Sequence, residues 1–205
     1  MKKIIFVNPP LSIEDRYGVK SSSGGQTPPL GLLNLAAMTR EHGFETAILD
    51  AAAVKWGYEQ SVKFILDNRF QYVGITAVTI SIAHAAKLAS LLKRADPKII
   101  IIIGGAHLTA LPSETMSMFP HFDIGVVGEA DYTIVELLSA LESKRDLTAI
   151  KGLILRDNNR LVNTGIRPRI ENLDSLPMPA WDLLPDLAQY YCPPVHTLKR
   201  IPAAT

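Results

Sequence analysis

Only one cysteine, Cys192, occurs in the 205-residue sequence. That excludes a disulfide framework and any cluster site built from the cysteines of this chain alone. Charge bias is missing as well. Twenty-one Lys and Arg stand against 20 Asp and Glu, a formal net charge of +1, which gives no pull toward nucleic acid or an anionic membrane. The apolar runs at residues 4–7 and 99–103 are strand-sized and far short of a membrane span. Met1-Lys2-Lys3 imitates the opening of a signal peptide, but Asn8-Pro9-Pro10 ends the apolar run too early for an h-region. A reducing, cytoplasmic setting is the expectation. Two phosphate-binding motifs are also lacking. No G-x-G-x-x-G follows the first strand, and a turn without glycines cannot bring its backbone against a pyrophosphate, which argues against a nicotinamide dinucleotide. No G-x-x-x-x-G-K-[ST] exists, so a P-loop is excluded. A receiver domain would need acids after the first strand and an Asp after the third; Asn8 and Thr76 stand there instead.

What is present is an ordinary globular balance, 47% hydrophobic and 20% charged, with enough apolar material for a core. Strand-like and helix-like segments alternate. Residues 4–7, 44–49, 72–78, 99–103 and 123–127 read as strands from their β-branched content. Helices are predicted from Pro28-Pro29 onward to a glycine stop at Gly43, over 58–68, after a Ser81 cap, over 112–119 and over 132–142. The polar stretch 12–27, with Ser21-Ser22-Ser23-Gly24-Gly25, is too long for a simple connection and reads as functional or disordered. The expected fold is α/β and Rossmann-like: five parallel strands in flavodoxin-like order, with helices on both faces. After residue 148 the pattern changes. Residues 152–156 and 161–164 flank Asp157-Asn158-Asn159-Arg160, a hairpin signal, and a linker follows with Leu176-Pro177-Met178-Pro179-Ala180-Trp181. The organisation expected is therefore a ligand-binding domain over 1–148, then a hairpin and strap over 149–205.

Such sheets bind ligands outside the carboxyl ends of their strands. The loops that matter begin at Asn8, Asp50, Thr76, Gly104 and Gly128. Gly104-Gly105 admits two readings: a tight strand-to-helix turn, or backbone bared so that a bulky ligand can lie against it. Thr76 places a hydroxyl either in the sheet's flank or at the ligand. Asp50 could accept from a ribose hydroxyl. Glu129 and Asp131 face the same region, unless they are only helix N-terminal acids that complement the macrodipole. The five histidines, His42, His84, His107, His121 and His196, show no metal-ligand spacing; His107, three residues past Gly104, is the one singled out. No metal site and no catalytic group are expected. From the residues alone the sequence is a ligand-binding α/β domain without catalytic machinery of its own.

Several segments together resemble one family. Asn8-Pro9-Pro10, Pro28-Pro29-Leu30-Gly31-Leu32 and the run from Phe44 to Asp50 are similar to the N-terminal domain of cobalamin-dependent radical SAM enzymes. So are Gly74-Ile75-Thr76, Ile103-Gly104-Gly105-Ala106-His107 and Val127-Gly128-Glu129, while the segment from Ile170 to Trp181 looks like the connection to the radical SAM barrel. The group includes anaerobic magnesium-protoporphyrin IX monomethyl ester cyclases and methyltransferases. The resemblance implies cobalamin held by Asn8, Pro9, Pro10, Thr76, Val78, Thr79, Gly104, Gly105, His107, Gly128 and Glu129. It further implies a [4Fe–4S] cluster and S-adenosylmethionine in a radical SAM domain beyond Thr205, whose Cys-x-x-x-Cys-x-x-Cys motif the sequence lacks. Cobalamin domains of the methionine synthase type carry Asp-x-His-x-x-Gly after the first strand. Asp15-Arg16-Tyr17-Gly18 has no histidine, and Thr76-Ala77-Val78 replaces Ser-x-Leu. The implied cofactor state is base-off cobalamin without histidine ligation. A stand-alone module for a nucleotide-like ligand and a non-catalytic interaction domain are the alternatives.

Overall fold

The computed structural model describes residues 3–18, 25–157 and 160–191. Ser21 to Gly24 of the long polar loop, the Asn158-Asn159 turn, Cys192 and His196 lie outside the described residues. The chain runs β1 (Lys3–Asn8), α1 (Ile13–Tyr17), α2 (Leu30–Glu41), β2 (Glu45–Asp50), α3 (Tyr58–Asp67), β3 (Tyr72–Thr76) and α4 (Ile82–Ala95). It continues with β4 (Ile100–Gly104), α5 (Ala106–Ala110), α6 (Pro112–Met118), β5 (Ile124–Val126), α7 (Asp131–Ser143), β6 (Leu153–Asp157), β7 (Arg160–Asn163) and α8 (Leu187–Tyr190).

The strand order is β2-β1-β3-β4-β5-β6-β7. The first five are parallel, in the flavodoxin-like order expected. The hairpin joins the same sheet, because β6 pairs antiparallel with β5 and extends five strands to seven. Gly125 permits this junction: a Cβ there would lie 2.4 Å from Ile154 Cγ2. Period-two alternation divides the strands between two cores. Ile5, Val7, Val73, Ile75, Ile101 and Ile103 pack toward α3 and α4. Ile4, Phe6, Tyr72, Ile102, Ile124 and Val126 pack toward α2 and α7. Helix α4 buries Ile82, Ala85, Leu88, Ala89 and Leu92, the stripe expected of an amphipathic helix.

Three local expectations need correction. β3 stops at Thr76 rather than at 78: Ala77 N makes the last ladder bond, to Gly104 O (3.0 Å), while Ala77 O accepts from His107 N of α5 (3.1 Å). Ser81 occupies the N-cap position of α4 but does not cap it; its hydroxyl accepts from Val78 N at 3.0 Å and closes the preceding turn. The connection after β4 holds an additional helix, α5, and the polar loop holds α1, started by a Ser12–Asp15 capping box. No helix among the described residues is long and apolar enough to cross a membrane.

The strap is laid back over the domain. Arg167 pairs with Glu136 of α7, and Glu129 Oε2 accepts from Ile170 N (2.7 Å). Tyr132 and Ser175 hydroxyls meet at 2.8 Å. Farther along, Ala180 N donates to Leu33 O of α2 (3.2 Å), and Arg40 forks onto Asp182 at 2.6 and 3.1 Å. The segment therefore crosses α7, then α2, and ends against β2.

Candidate functional site: a crevice at the carboxyl ends of the parallel strands

Register decides where the sheet is bare. Phe6 lies opposite Gly74, Gly74 opposite Ile102, and Thr76 opposite Gly104. All these positions face α2 and α7. Two glycines and a small threonine on that face leave a gap between the helices, a crevice of about 250 Å³. Phe6, Ile102 and Val126 form its apolar floor; Leu32 and Leu35 of α2 and Ile134 of α7 form its sides. Thr76, Asn34, Glu129 and Asp131 bring the polar groups. An apolar cleft with a few convergent polar groups is the form a small-molecule site takes.

The glycine pair has a divided role. At Gly105, with φ +96°, a Cβ would lie 2.6 Å from Ala77 O and 2.8 Å from both Ala77 N and Thr76 Oγ1. Only glycine fits there, so Gly105 serves the turn. At Gly104 a Cβ would meet nothing closer than Val126 O at 3.7 Å, an ordinary contact. A Cβ is therefore accommodated at Gly104, and what it would take away is room in the crevice. On the α2 wall, a Cβ at Gly31 would likewise meet nothing within 4 Å.

Of the residues expected at the site, Thr76, Gly104, Gly105, Gly128 and Glu129 line this crevice, and so does Asp131. The others do not line it. Asn8 is at the end of β1, its Nδ2 donating to Asp50 Oδ1 (2.8 Å). Pro9 is buried, and Pro10 lines a separate cavity with Trp56, Tyr58 and His84. Val78 and Thr79 are exposed on the turn after β3, where Thr79 Oγ1 meets His107 Nδ1 at 3.2 Å. Gly31, Asn34 and Gly74 also line the crevice, without having been expected there. For the two glycines a signal was available: a glycine at the start of a helix, and a glycine inside a buried strand two residues before Thr76.

Asp50 is a buried hub and does not line the crevice. Its oxygens accept from Asn8 Nδ2, Ala53 N (3.1 Å), Gln26 Nε2 (3.4 Å) and Tyr191 Oη (3.1 Å). Burial raises its carboxyl above the ordinary range, an effect that the four donors offset only in part. Burial and then the Asp50 charge push the Tyr191 hydroxyl upward too. Asp131 opens α7; burial in the crevice wall raises its carboxyl, a bond to its own backbone amide opposes this, and the Glu129 charge adds to the rise. Among the described residues no group of three His, Cys, Asp or Glu could hold a metal ion.

A parallel sheet between helices, with an apolar crevice at its carboxyl ends, defines a cofactor-binding α/β domain. The B12 binding domain family matches residues 17–138, more than half of the chain. The chain belongs to that family. It is 36% identical over 183 residues to an uncharacterized methyltransferase of Pyrococcus horikoshii, covering 89% of this chain and 39% of that protein. It is 27% identical over 191 residues to the anaerobic magnesium-protoporphyrin IX monomethyl ester cyclase of Synechocystis sp., covering 92% of this chain and 37% of the cyclase. The chain thus spans about two fifths of the length of these curated relatives. The solved structure of the cobalamin-dependent S-adenosylmethionine radical enzyme OxsB, with aqua-cobalamin and S-adenosylmethionine bound, superimposes with a TM-score of 0.75 over 93% of this chain and 25% of that one. At 16% identity this shows a shared fold.

Proposed function

We propose that this domain binds cobalamin with its nucleotide tail in the crevice between α2 and α7, as the cofactor-binding part of a cobalamin-dependent radical SAM enzyme of cyclase or methyltransferase type. The observation that carries the reading is the bare floor at Thr76 and Gly104 in a chain of the B12-binding family. The residues fit such a tail. The crevice is apolar on its floor and sides, Gly104 and Gly31 leave space that a Cβ would fill, and the Thr76 hydroxyl makes no hydrogen bond with the described residues. Bound cobalamin supplies methyl transfer or redox assistance, chemistry the side chains here do not possess. The chain's share is to hold and orient it. Asn8, Pro9, Pro10, Val78, Thr79 and His107 are proposed to border the corrin, because they stand at or just after the carboxyl ends of β1, β3 and β4. The segment Asp15-Arg16-Tyr17-Gly18 after β1 has no histidine where cobalamin domains of the methionine synthase type carry one. We therefore assign base-off cobalamin without a histidine on the lower face of cobalt.

A radical SAM domain holding the [4Fe–4S] cluster and S-adenosylmethionine is proposed as the partner, reached through the strap. Support comes from relatives more than twice as long and from exposed apolar side chains on the strap, Ile166, Leu173 and Met178. The test is to mix the purified chain with hydroxocobalamin, desalt it, and record the spectrum. A retained corrinoid band supports the reading. Retention of a nucleotide with indifference to corrinoids overturns it.

A further inference from the structure

The crevice is not uniformly apolar, and two of its polar groups come from the facing helices. Asn34 stands on the α2 side and Asp131 on the α7 side, both in the lining. Neither is engaged elsewhere. Asn34 makes no hydrogen bond with the described residues, and Asp131 bonds only its own backbone amide. Glu129 differs, because its carboxylate is taken up by Ile170 N of the strap. A half-buried amide and carboxyl facing apolar walls lose hydration, and an occupant without hydrogen-bonding groups would leave both unpaired. An occupant that donates and accepts along one edge would satisfy them.

We propose that Asn34 and Asp131 read the lower base of the corrinoid, and that the crevice prefers an amino-purine base such as adenine over dimethylbenzimidazole. This inference rests on the tail-binding assignment above. An amide presents one acceptor beside one donor, the complement of the amino and ring-nitrogen edge of adenine, and is the side chain that pairs with that edge in other settings. The Asp131 carboxylate accepts the second amino hydrogen. Dimethylbenzimidazole has no exocyclic amine and presents methyl groups instead. Its burial would leave the Asp131 carboxylate facing hydrocarbon. The apolar floor of Phe6, Ile102 and Val126 suits the flat face of either base, so selectivity comes from the two polar groups.

The test compares three corrinoids by equilibrium dialysis against the purified chain: an adeninyl cobamide, cobalamin, and tail-less cobinamide. The adeninyl form is expected to bind about tenfold more tightly than cobalamin, the discrimination one well-made bidentate contact provides. Asn34→Leu and Asp131→Ala should each reduce that ratio toward one, with cobinamide affinity unchanged. Should Asp131→Ala fail to fold, Asn34→Leu alone carries the comparison. Equal affinity of the wild type for the two bases, or a preference for cobalamin, overturns base reading while leaving tail binding intact. So does a ratio that neither variant moves. Cobinamide binding as tightly as both complete corrinoids overturns tail binding itself.

Discussion

Two adjacent glycines divide the labour between fold and site, and their physical difference is measurable. Gly105 has a positive φ and would place a Cβ 2.6 Å from backbone. Gly105→Ala should destabilise the domain by about 2 kcal/mol or more, since both backbone strain and a contact with rigid atoms are introduced. At Gly104 an added Cβ meets only Val126 O at 3.7 Å, an ordinary contact, so Gly104→Val is the paired variant. It should leave the melting temperature nearly unchanged and weaken cobalamin binding at least tenfold by filling the crevice. Thermal unfolding and corrinoid titration of the two variants separate the roles. A Gly104→Val protein that binds cobalamin like the wild type would place the tail elsewhere.

The elements at the β2 edge are tied together by Asp50. It joins the end of β1, the loop holding Gln26, the turn after β2 and the end of the strap. Burial raises its carboxyl, so the folded chain holds this proton more tightly than the unfolded chain does. The sign follows from linkage: the stabilisation is fully present below the unfolded value of about 3.9 and is lost as pH rises through the raised folded value. Asp50→Asn removes that dependence. As pH rises from about 4 through the raised folded value, the wild type should lose stability relative to the variant, and parallel melting curves would contradict the assignment. Tyr191→Phe should cost about 1.5–3 kcal/mol, because it strips one donor from a buried charged group. The same change should speed proteolysis within the strap. An unchanged digestion pattern would show that the strap is held by its other contacts, such as the exposed Arg40–Asp182 pair.

Across the molecule as a whole, ligand binding and folding are linked. Cobalamin at about one hundred times its dissociation constant should stabilise the chain by about 2.7 kcal/mol. At the same cobalamin concentration the shift should fall to about 1.4 kcal/mol or less in Gly104→Val, and differential scanning calorimetry reads it directly. The hairpin acts at this level as well. By pairing β6 with β5 it covers a three-residue strand that would otherwise be a weak, open edge. It also starts the strap on the side of the sheet from which it can cross α7 and α2.

Much of this was legible in the residues. Strand–helix alternation and β-branched runs are local properties, so the five parallel strands and the carboxyl-end location of the crevice could be read in advance. Thr76, Gly104, Gly105, Gly128 and Glu129 followed from their place just after strands. Asp131 could be placed near the crevice, but equally as a helix N-terminal acid. Asn34 could not be placed at all, because helix positions look alike until the helices are docked. Asp50 is the converse case. Its place after a strand suggested a ligand contact, and only the arrival of Tyr191, 141 positions away in sequence, makes it a buried hub. The sheet, its two apolar faces and the need for glycine at a turn were written in the residue order, since they depend on chain neighbours and on side-chain period. Which glycine spares room for a ligand, which acids are engaged and where the strap lies were settled only when the chain folded. Those outcomes depend on strand register and on contacts between distant segments, which no local pattern records.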